Sequence, residues 1–172
     1  MAGGLGDLLK QVFTSFSGGG VGGGASNPKQ QVIDYLKDKG YSNEAIAGIT
    51  ANIEVETGGT FDYKEKEKGK GTGEGLFQYT GSMKNSYKDY LKNSKKKDSI
   101  ESQIDFMDEV VRGTWEPGLP NIERGILKGE LFSGKHDSAR IAESFNSLFE
   151  KGKLETDYGN RKDVAIDIFK SM

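Results

Sequence analysis

The sequence predicts a mostly α-helical domain with at most a small β-hairpin, preceded by a short tethered helix. Apolar residues recur at helical spacing in one segment after another, and helix-start residues stand before most of those segments. No stretch alternates apolar and polar residues long enough to build a large sheet. With 25 glycines among 172 residues, several of them in one run, a flexible part accompanies one core-forming domain.

Leu5, Leu8, Leu9, Val12, Phe13 and Phe16 share a stripe, which predicts a short amphipathic helix over residues 5–16. A helix of this length is not stable alone and needs a partner: its own domain, another protein, a second copy or a membrane surface. Asp7 and Lys10 on the polar face, with no basic cluster, disfavour the membrane. Gly18-Gly19-Gly20 and Gly22-Gly23-Gly24 make residues 17–26 a tether whose ends lie roughly 15–20 Å apart. The expected division is a docking helix over 1–16, a linker over 17–26 and a domain over 27–172.

Within the domain, Asn27 as N-cap, Pro28 at the first helical position and Gln30 at the third, placed to return a bond, start a helix. Val32, Ile33 and Leu36 form its buried face, and Gly40 ends it. Ser42 caps a second helix with Ile46, Ile49 and Ile53 on one stripe, running to Glu56. Residues 60–79 have weak helical signals, a Lys-Glu alternation and glycines at 69, 71, 73 and 75, which predicts a loop or short hairpin. Loops of this length usually belong to a site. Met83, Tyr87, Tyr90 and Leu91 predict a helix near 82–93, and Asp98 with Glu101 suits a capping box for the next. Its core stripe is Ile100, Ile104, Met107 and Val111, up to Gly113. A turn through Trp115 and Pro120 leads to a short helix with Ile122, Ile126 and Leu127. Asp137 or Ser138 caps a helix with Ala142, Phe145, Leu148 and Phe149; Asn160 caps a last one with Val164, Ala165, Ile168 and Phe169.

Several function classes are excluded by composition. A formal charge of −2, with Lys95-Lys96-Lys97 followed at once by acidic residues, is not the clustered basic surface of a nucleic-acid binder. Without cysteines there is neither a disulfide framework nor a thiolate, and the single histidine, His136, cannot make a metal cluster by itself. No metal or other cofactor is called for. No apolar run approaches the roughly 20 residues that span a bilayer, so stable membrane insertion is not expected. The first residues lack a basic n-region and a cleavage site, so delivery beyond a cytoplasm is expected by a route other than the usual export signal.

The chemistry concentrates between Ile46 and Gln78. On a helix, Glu56 shares a face with Asn52, Ile53 and Ile49, whereas Glu54 lies about 200° round and points away. Partial desolvation beside the isoleucines and the negative helix end both favour a protonated carboxyl, which suits a general acid. Gly73, Gly75 and Gly81 permit close backbone approach around Leu76-Phe77-Gln78-Tyr79. Leu76 and Phe77 can anchor that segment in the core, while Gln78 offers amide donors and Tyr79 an aromatic platform for a sugar.

Taken together, Glu56-Thr57 and Gly75-Leu76-Phe77-Gln78 resemble the signatures of soluble lytic transglycosylases and goose-type lysozymes. Gly48, Asn52 and Glu56-Thr57, with the later block around Gln78, are closer still to the phage tail lysozyme family; Phe145 to Glu150, Arg161 and Ala165 are similar to its closing helices. Thr57 stands where that pattern has Ser, Tyr79 where it has Trp, and Lys151 where it has Pro. The resemblance, covering about residues 28–172, implies a lysozyme-like helical domain with a cleft, peptidoglycan as substrate and Glu56 as proton donor, with Asn52, Thr57, Gln78 and Tyr79 binding substrate. A second carboxylate would come from Asp62, Glu65, Glu67 or Glu74, of which Asp62 is favoured because the Lys-Glu alternation reads as solvated surface. Without one, the substrate's own 6-hydroxyl can attack, as in a transglycosylase. Glu143 and Glu150 are expected to support the cleft or pair with Arg161.

The implied protein is a peptidoglycan hydrolase, a muramidase or lytic transglycosylase, carried on a phage virion and docked to other tail or baseplate proteins through residues 5–16. The rival expectations are a non-catalytic virion structural protein that keeps the fold, and a free endolysin acting at host lysis.

Overall fold

The computed structural model describes residues 27–67, 71–116, 118–150 and 158–172, so the expected helix over 5–16 and the tether over 17–26 lie outside the described residues. Seven α-helices stand in it: α1 (Pro28–Asp38), α2 (Asn43–Glu56), α3 (Gly81–Ser94), α4 (Ile100–Arg112), α5 (Asn121–Ser133), α6 (Ser138–Phe145) and α7 (Tyr158–Ser171). The mostly helical expectation holds, and among the described residues there is no sheet, only two isolated antiparallel bridges in the α2–α3 connection.

Local chemistry sets most boundaries. Asn27 Oδ1 accepts from the Lys29 amide and Pro28 opens α1, but Gln30 donates to Asp34 Oδ1 at 2.9 Å instead of returning a capping bond. Ser42 caps α2 and Asp137, not Ser138, caps α6. The expected Asp98–Glu101 box is replaced by Ser99 and Ser102, each side chain accepting from the other's amide. Asp98 is occupied elsewhere, accepting from Tyr87 Oη at 2.6 Å and Gln103 Nε2 at 2.9 Å. Asn160 does not cap the last helix, because the backbone is already helical from Tyr158. After Phe145 the helix loosens into one π turn, Asn146–Glu150, which carries Phe149 into the core.

Helix α2 is the centre of the fold. Every residue from Ala45 to Ile53 is buried, so it has no solvent face along that span. Ile46, Ile49 and Ile53 are fully buried, and each contributes about 1.5–3 kcal/mol by leaving water. On another side, α2 meets α6 and α7 through small residues, Ala47 and Ala51 against Ala142 and Ala165. The closest approach is at Gly48, where a Cβ would lie 2.6 Å from Ile141 Cγ2 and 3.0 Å from the Ala142 amide nitrogen. A glycine is required there for contact, not for conformation.

Helix α4 packs on α1 and buries Ile104, Phe106, Met107, Val110 and Val111. An aromatic cluster of Tyr79, Tyr87, Tyr90, Phe106 and Trp115 joins it to α3, with ring centroids 5.3–6.4 Å apart. Asp105, buried on α4, accepts from Tyr35 at 2.9 Å and from Lys96 at 2.7 Å, and pairs with Lys39. Burial raises its carboxyl, but these donors outweigh it and hold it below the ordinary range.

Candidate active site

At the C-terminal end of α2 the stripe Gly48, Asn52, Glu56 turns towards the C-terminal helices, one residue per helical turn. Each does something different. Gly48 lets α6 approach. Asn52, fully buried, donates from Nδ2 to Gly48 O at 2.9 Å and to Ala142 O at 3.0 Å, tying α2 to α6. Glu56, with 22% of its side chain exposed, accepts from Arg161 Nη2 on α7. Glu54 points elsewhere, as helical geometry predicts, and pairs with Lys29 at 2.6 Å.

Of the two roles expected for Glu143 and Glu150, supporting the cleft or pairing with Arg161, neither residue takes the pairing in a salt bridge, which Glu56 makes. Glu143 pairs with Lys162 instead. Glu150, at the end of the π turn, has both carboxyl oxygens buried without a hydrogen-bond partner among the described residues, although the residue as a whole is half-buried. Burial chiefly, and then the Glu56 charge, push its carboxyl well above the usual range, with Arg161 pulling the other way. Glu150, beside the Glu56–Arg161 pair, therefore favours its neutral form.

Opposite Glu56 stands a hairpin-like pairing of residues 60–67 with 71–79, held by Glu67 N to Gly73 O at 2.9 Å, Gly75 N to Glu65 O at 2.8 Å and Tyr79 N to Glu74 O at 3.0 Å. Between them lies a cleft of about 280 Å³ lined by Glu56, Thr57, Glu65, Lys66, Glu67 and Gln78, among others. Glu65 and Glu67 thus border the cleft, while Glu67 is exposed and Glu65 half-buried, in keeping with a largely solvated Lys-Glu alternation. Glu65 accepts from Thr60 Oγ1 at 3.1 Å and Glu67 from the Gly73 amide at 2.9 Å, so pairing across the hairpin sets which carboxylates border the cleft. Asp62 is exposed, accepts from the Lys64 amide at 2.9 Å in its own turn, and does not line the cleft.

The other expected substrate-binding residues divide. Gln78 lines the cleft with φ of 45°, a left-handed conformation uncommon for a non-glycine residue. Its Nε2 donates to Gly75 O at 2.9 Å, and its Oε1 is buried without a partner. Thr57 borders the cleft, but its hydroxyl is committed to the turn, donating to Ile53 O at 2.7 Å and accepting from the Phe61 amide at 3.1 Å. Asn52 is inaccessible and acts on α6. Tyr79 does not offer a platform beside Glu56: it is 4% exposed, packed edge-on and tilted against the rings of the aromatic core, and donates to Gln103 O at 3.3 Å.

Gln103 is the residue that sequence reasoning missed. Its Oε1 accepts from the Leu76 amide at 2.7 Å, and its Nε2 donates to Tyr63 O at 2.8 Å, so α4 grips both limbs of the hairpin. Gly75 makes room for it: a Cβ there would lie 2.4 Å from Gln103 Oε1, at φ of 83°. The signal was a glutamine beside the apolar stripe Ile100, Ile104, Met107.

Among the described residues no group of histidine, cysteine or carboxylate side chains is arranged to hold a metal, and no helix is long and apolar enough to cross a membrane. No curated protein matches the chain significantly. The family described as phage tail lysozyme matches residues 27–172, which includes the acid-bearing helix, the hairpin and the closing helices. The chain therefore belongs to the phage tail lysozyme family, whose members are peptidoglycan-degrading phage proteins.

Proposed function

We propose that this chain is a peptidoglycan glycosidase carried on the virion tail, cutting the glycan strand of the host wall during infection, with Glu56 as general acid. The observation that carries the reading is the placement of Glu56: a half-buried carboxylate on a rigid, enclosed helix, facing a cleft whose opposite wall supplies Glu65, Glu67 and Gln78. The family supports the tail assignment, and the apolar stripe of residues 5–16 suits docking to other tail or baseplate proteins.

An acid paired with arginine needs a way to become neutral. Glu56, Arg161 and Glu150 together hold one proton and no net charge when Glu150 is neutral and the other two are ionised. A sugar entering the cleft displaces the guanidinium from Glu56 towards Glu150; Glu150 releases its proton, Glu56 receives it, and the cluster's charge is unchanged. Glu56 then protonates the glycosidic oxygen as the bond to the anomeric carbon breaks. A water activated by Glu65 or Glu67 completes hydrolysis; attack by the sugar's 6-hydroxyl gives an anhydro end instead.

The test is wall digestion by the purified chain, with products resolved by mass spectrometry. Glu56→Gln is expected to lower turnover by about 10²-fold or more, the usual scale for general acid catalysis. If neither form clears the wall, the protein is a structural member of the virion. Reducing ends lost in Glu65→Gln or Glu67→Gln identify the base, whereas anhydro ends unaffected by both identify a transglycosylase.

A further inference from the structure

Lys66 lines a second cavity as well as the Glu56 cleft. This one, of about 370 Å³, has Tyr63 and Tyr87 in its walls and three more lysines, Lys64, Lys84 and Lys88, along its lining. In a chain of net charge −2 that concentration of positive charge is local. Among the described residues two carboxylates share the lining, and both are occupied. Glu74 pairs with Lys84 at 2.8 Å, while Asp98 accepts from Tyr87 and Gln103. Lys84 chiefly, with Lys66 and Lys88 adding to it, holds the Glu74 carboxyl below its ordinary range, so all three ammonium groups act on one place.

We propose that this cavity is a subsite for the short acidic peptide attached to the glycan strand, a proposal that rests on the peptidoglycan reading above. A sugar backbone offers hydroxyls and amides but little charge, so it gives no use to Lys64, Lys66 and Lys88, the lysines of the lining beside the Lys84–Glu74 pair. A peptide bearing free carboxylates does. The aromatic walls take its small apolar side chains, the ammonium groups take its carboxylates, and Lys66 bridges the point where peptide and glycan diverge. Lysine suits this better than arginine, being a flexible point charge that follows carboxylates of variable position. The subsite would make the enzyme prefer strands that keep their peptides and would add to substrate binding without touching the scissile bond.

The experiment uses the full chain and a synthetic N-acetyl-alanyl-γ-glutamyl-alanine peptide, whose two free carboxylates have no ammonium group to offset them, followed by NMR titration at low and high salt. Saturable, salt-sensitive binding is expected, unchanged in Glu56→Gln and weakened about fivefold or more in the double variant Lys64→Glu, Lys88→Glu, as two exposed charge contacts imply. On intact walls the double variant is expected to show a raised KM at unchanged kcat, with strands stripped of peptide by an amidase cut alike by both forms. Absent peptide binding, binding indifferent to the double substitution, or a preference for polyglycerol phosphate over the peptide overturns the subsite. Wall cleavage without peptide binding leaves the enzyme reading intact and removes only this inference; peptide binding at the lysines without any cleavage supports the subsite and removes the enzyme reading.

Discussion

Replacing Glu150 by Gln tests the neutral acid behind the Glu56–Arg161 pair. In the native chain, burial holds the Glu150 carboxyl protonated well above its ordinary range. An unfolded glutamate titrates near roughly 4.3, so above that pH the unfolded chain has lost a proton that the folded chain keeps. The favourable contribution is therefore complete below the unfolded value. It falls as pH rises, by about 1.4 kcal/mol per pH unit, until the folded-state midpoint is passed. Glutamine has the same shape and no proton to lose. The difference in unfolding free energy, Glu150→Gln minus native, is expected to be lowest below roughly pH 4.3 and to widen in the variant's favour as pH rises, by up to about 1.4 kcal/mol per unit, until the raised folded-state midpoint is reached. Urea unfolding at half-unit pH steps, followed by the fluorescence of the single tryptophan, Trp115, measures it directly. Carboxylates that do not interact with Glu150 cancel in the difference, which leaves Glu150 and its neighbour Glu56. Wall cleavage by the same variant is expected to fall by about 10-fold or more, because Glu56 loses its proton source. A gap that does not change with pH shows that Glu150 is not held neutral, and an unaltered cleavage rate shows that its proton is not used.

Two further predictions concern how α2 is held. Asn52→Asp sets a carboxylate against the Gly48 and Ala142 carbonyl oxygens at about 3 Å; we predict a loss of about 3–5 kcal/mol at neutral pH, as for an uncompensated buried charge. That loss shrinks as pH falls towards roughly 3.9, the aspartate's unfolded value, where both states are protonated; denaturation curves equal to the native ones at neutral pH would sink this account. Gly48→Ala gains about 1 kcal/mol of helix propensity but overpacks against Ile141 by about 1–3 kcal/mol, so thermal unfolding is expected at a lower temperature than native. A stabilised variant would mean that α6 moves aside freely.

Much of this arrangement is legible in the sequence because it is local. The helices follow from apolar spacing and from caps such as Ser42 and Asp137, and Glu56 is separated from Glu54 by helical geometry alone. What escapes is decided by pairing across distance. Arg161 lies 105 residues from Glu56, and nothing in either neighbourhood specifies that contact. Asp62 and Glu67 look equivalent in a charged loop, and both are exposed, until the hairpin bonds decide which one borders the cleft. Tyr79 was misplaced for a related reason: a tyrosine beside a glutamine suits either a sugar or a core, and the aromatic rings of α3 and α4 settle it. The capping box slipped by one residue because Asp98 and Ser99 are both good caps, and only Asp98 had a competing tyrosine.

The long separation between Glu56 and Arg161 bears on how the molecule fails. A helix end and a hairpin can persist in a partly opened chain, but the arginine arrives only when α7 lies in its groove on α2, with Ala165 and Ile168 buried. Proton inventory and hydrophobic seal are thus completed by one docking event. Amide exchange in α7 and the rate of wall cleavage are then two readouts of the same opening, and a chain whose last helix frays under mild heat goes silent before it melts.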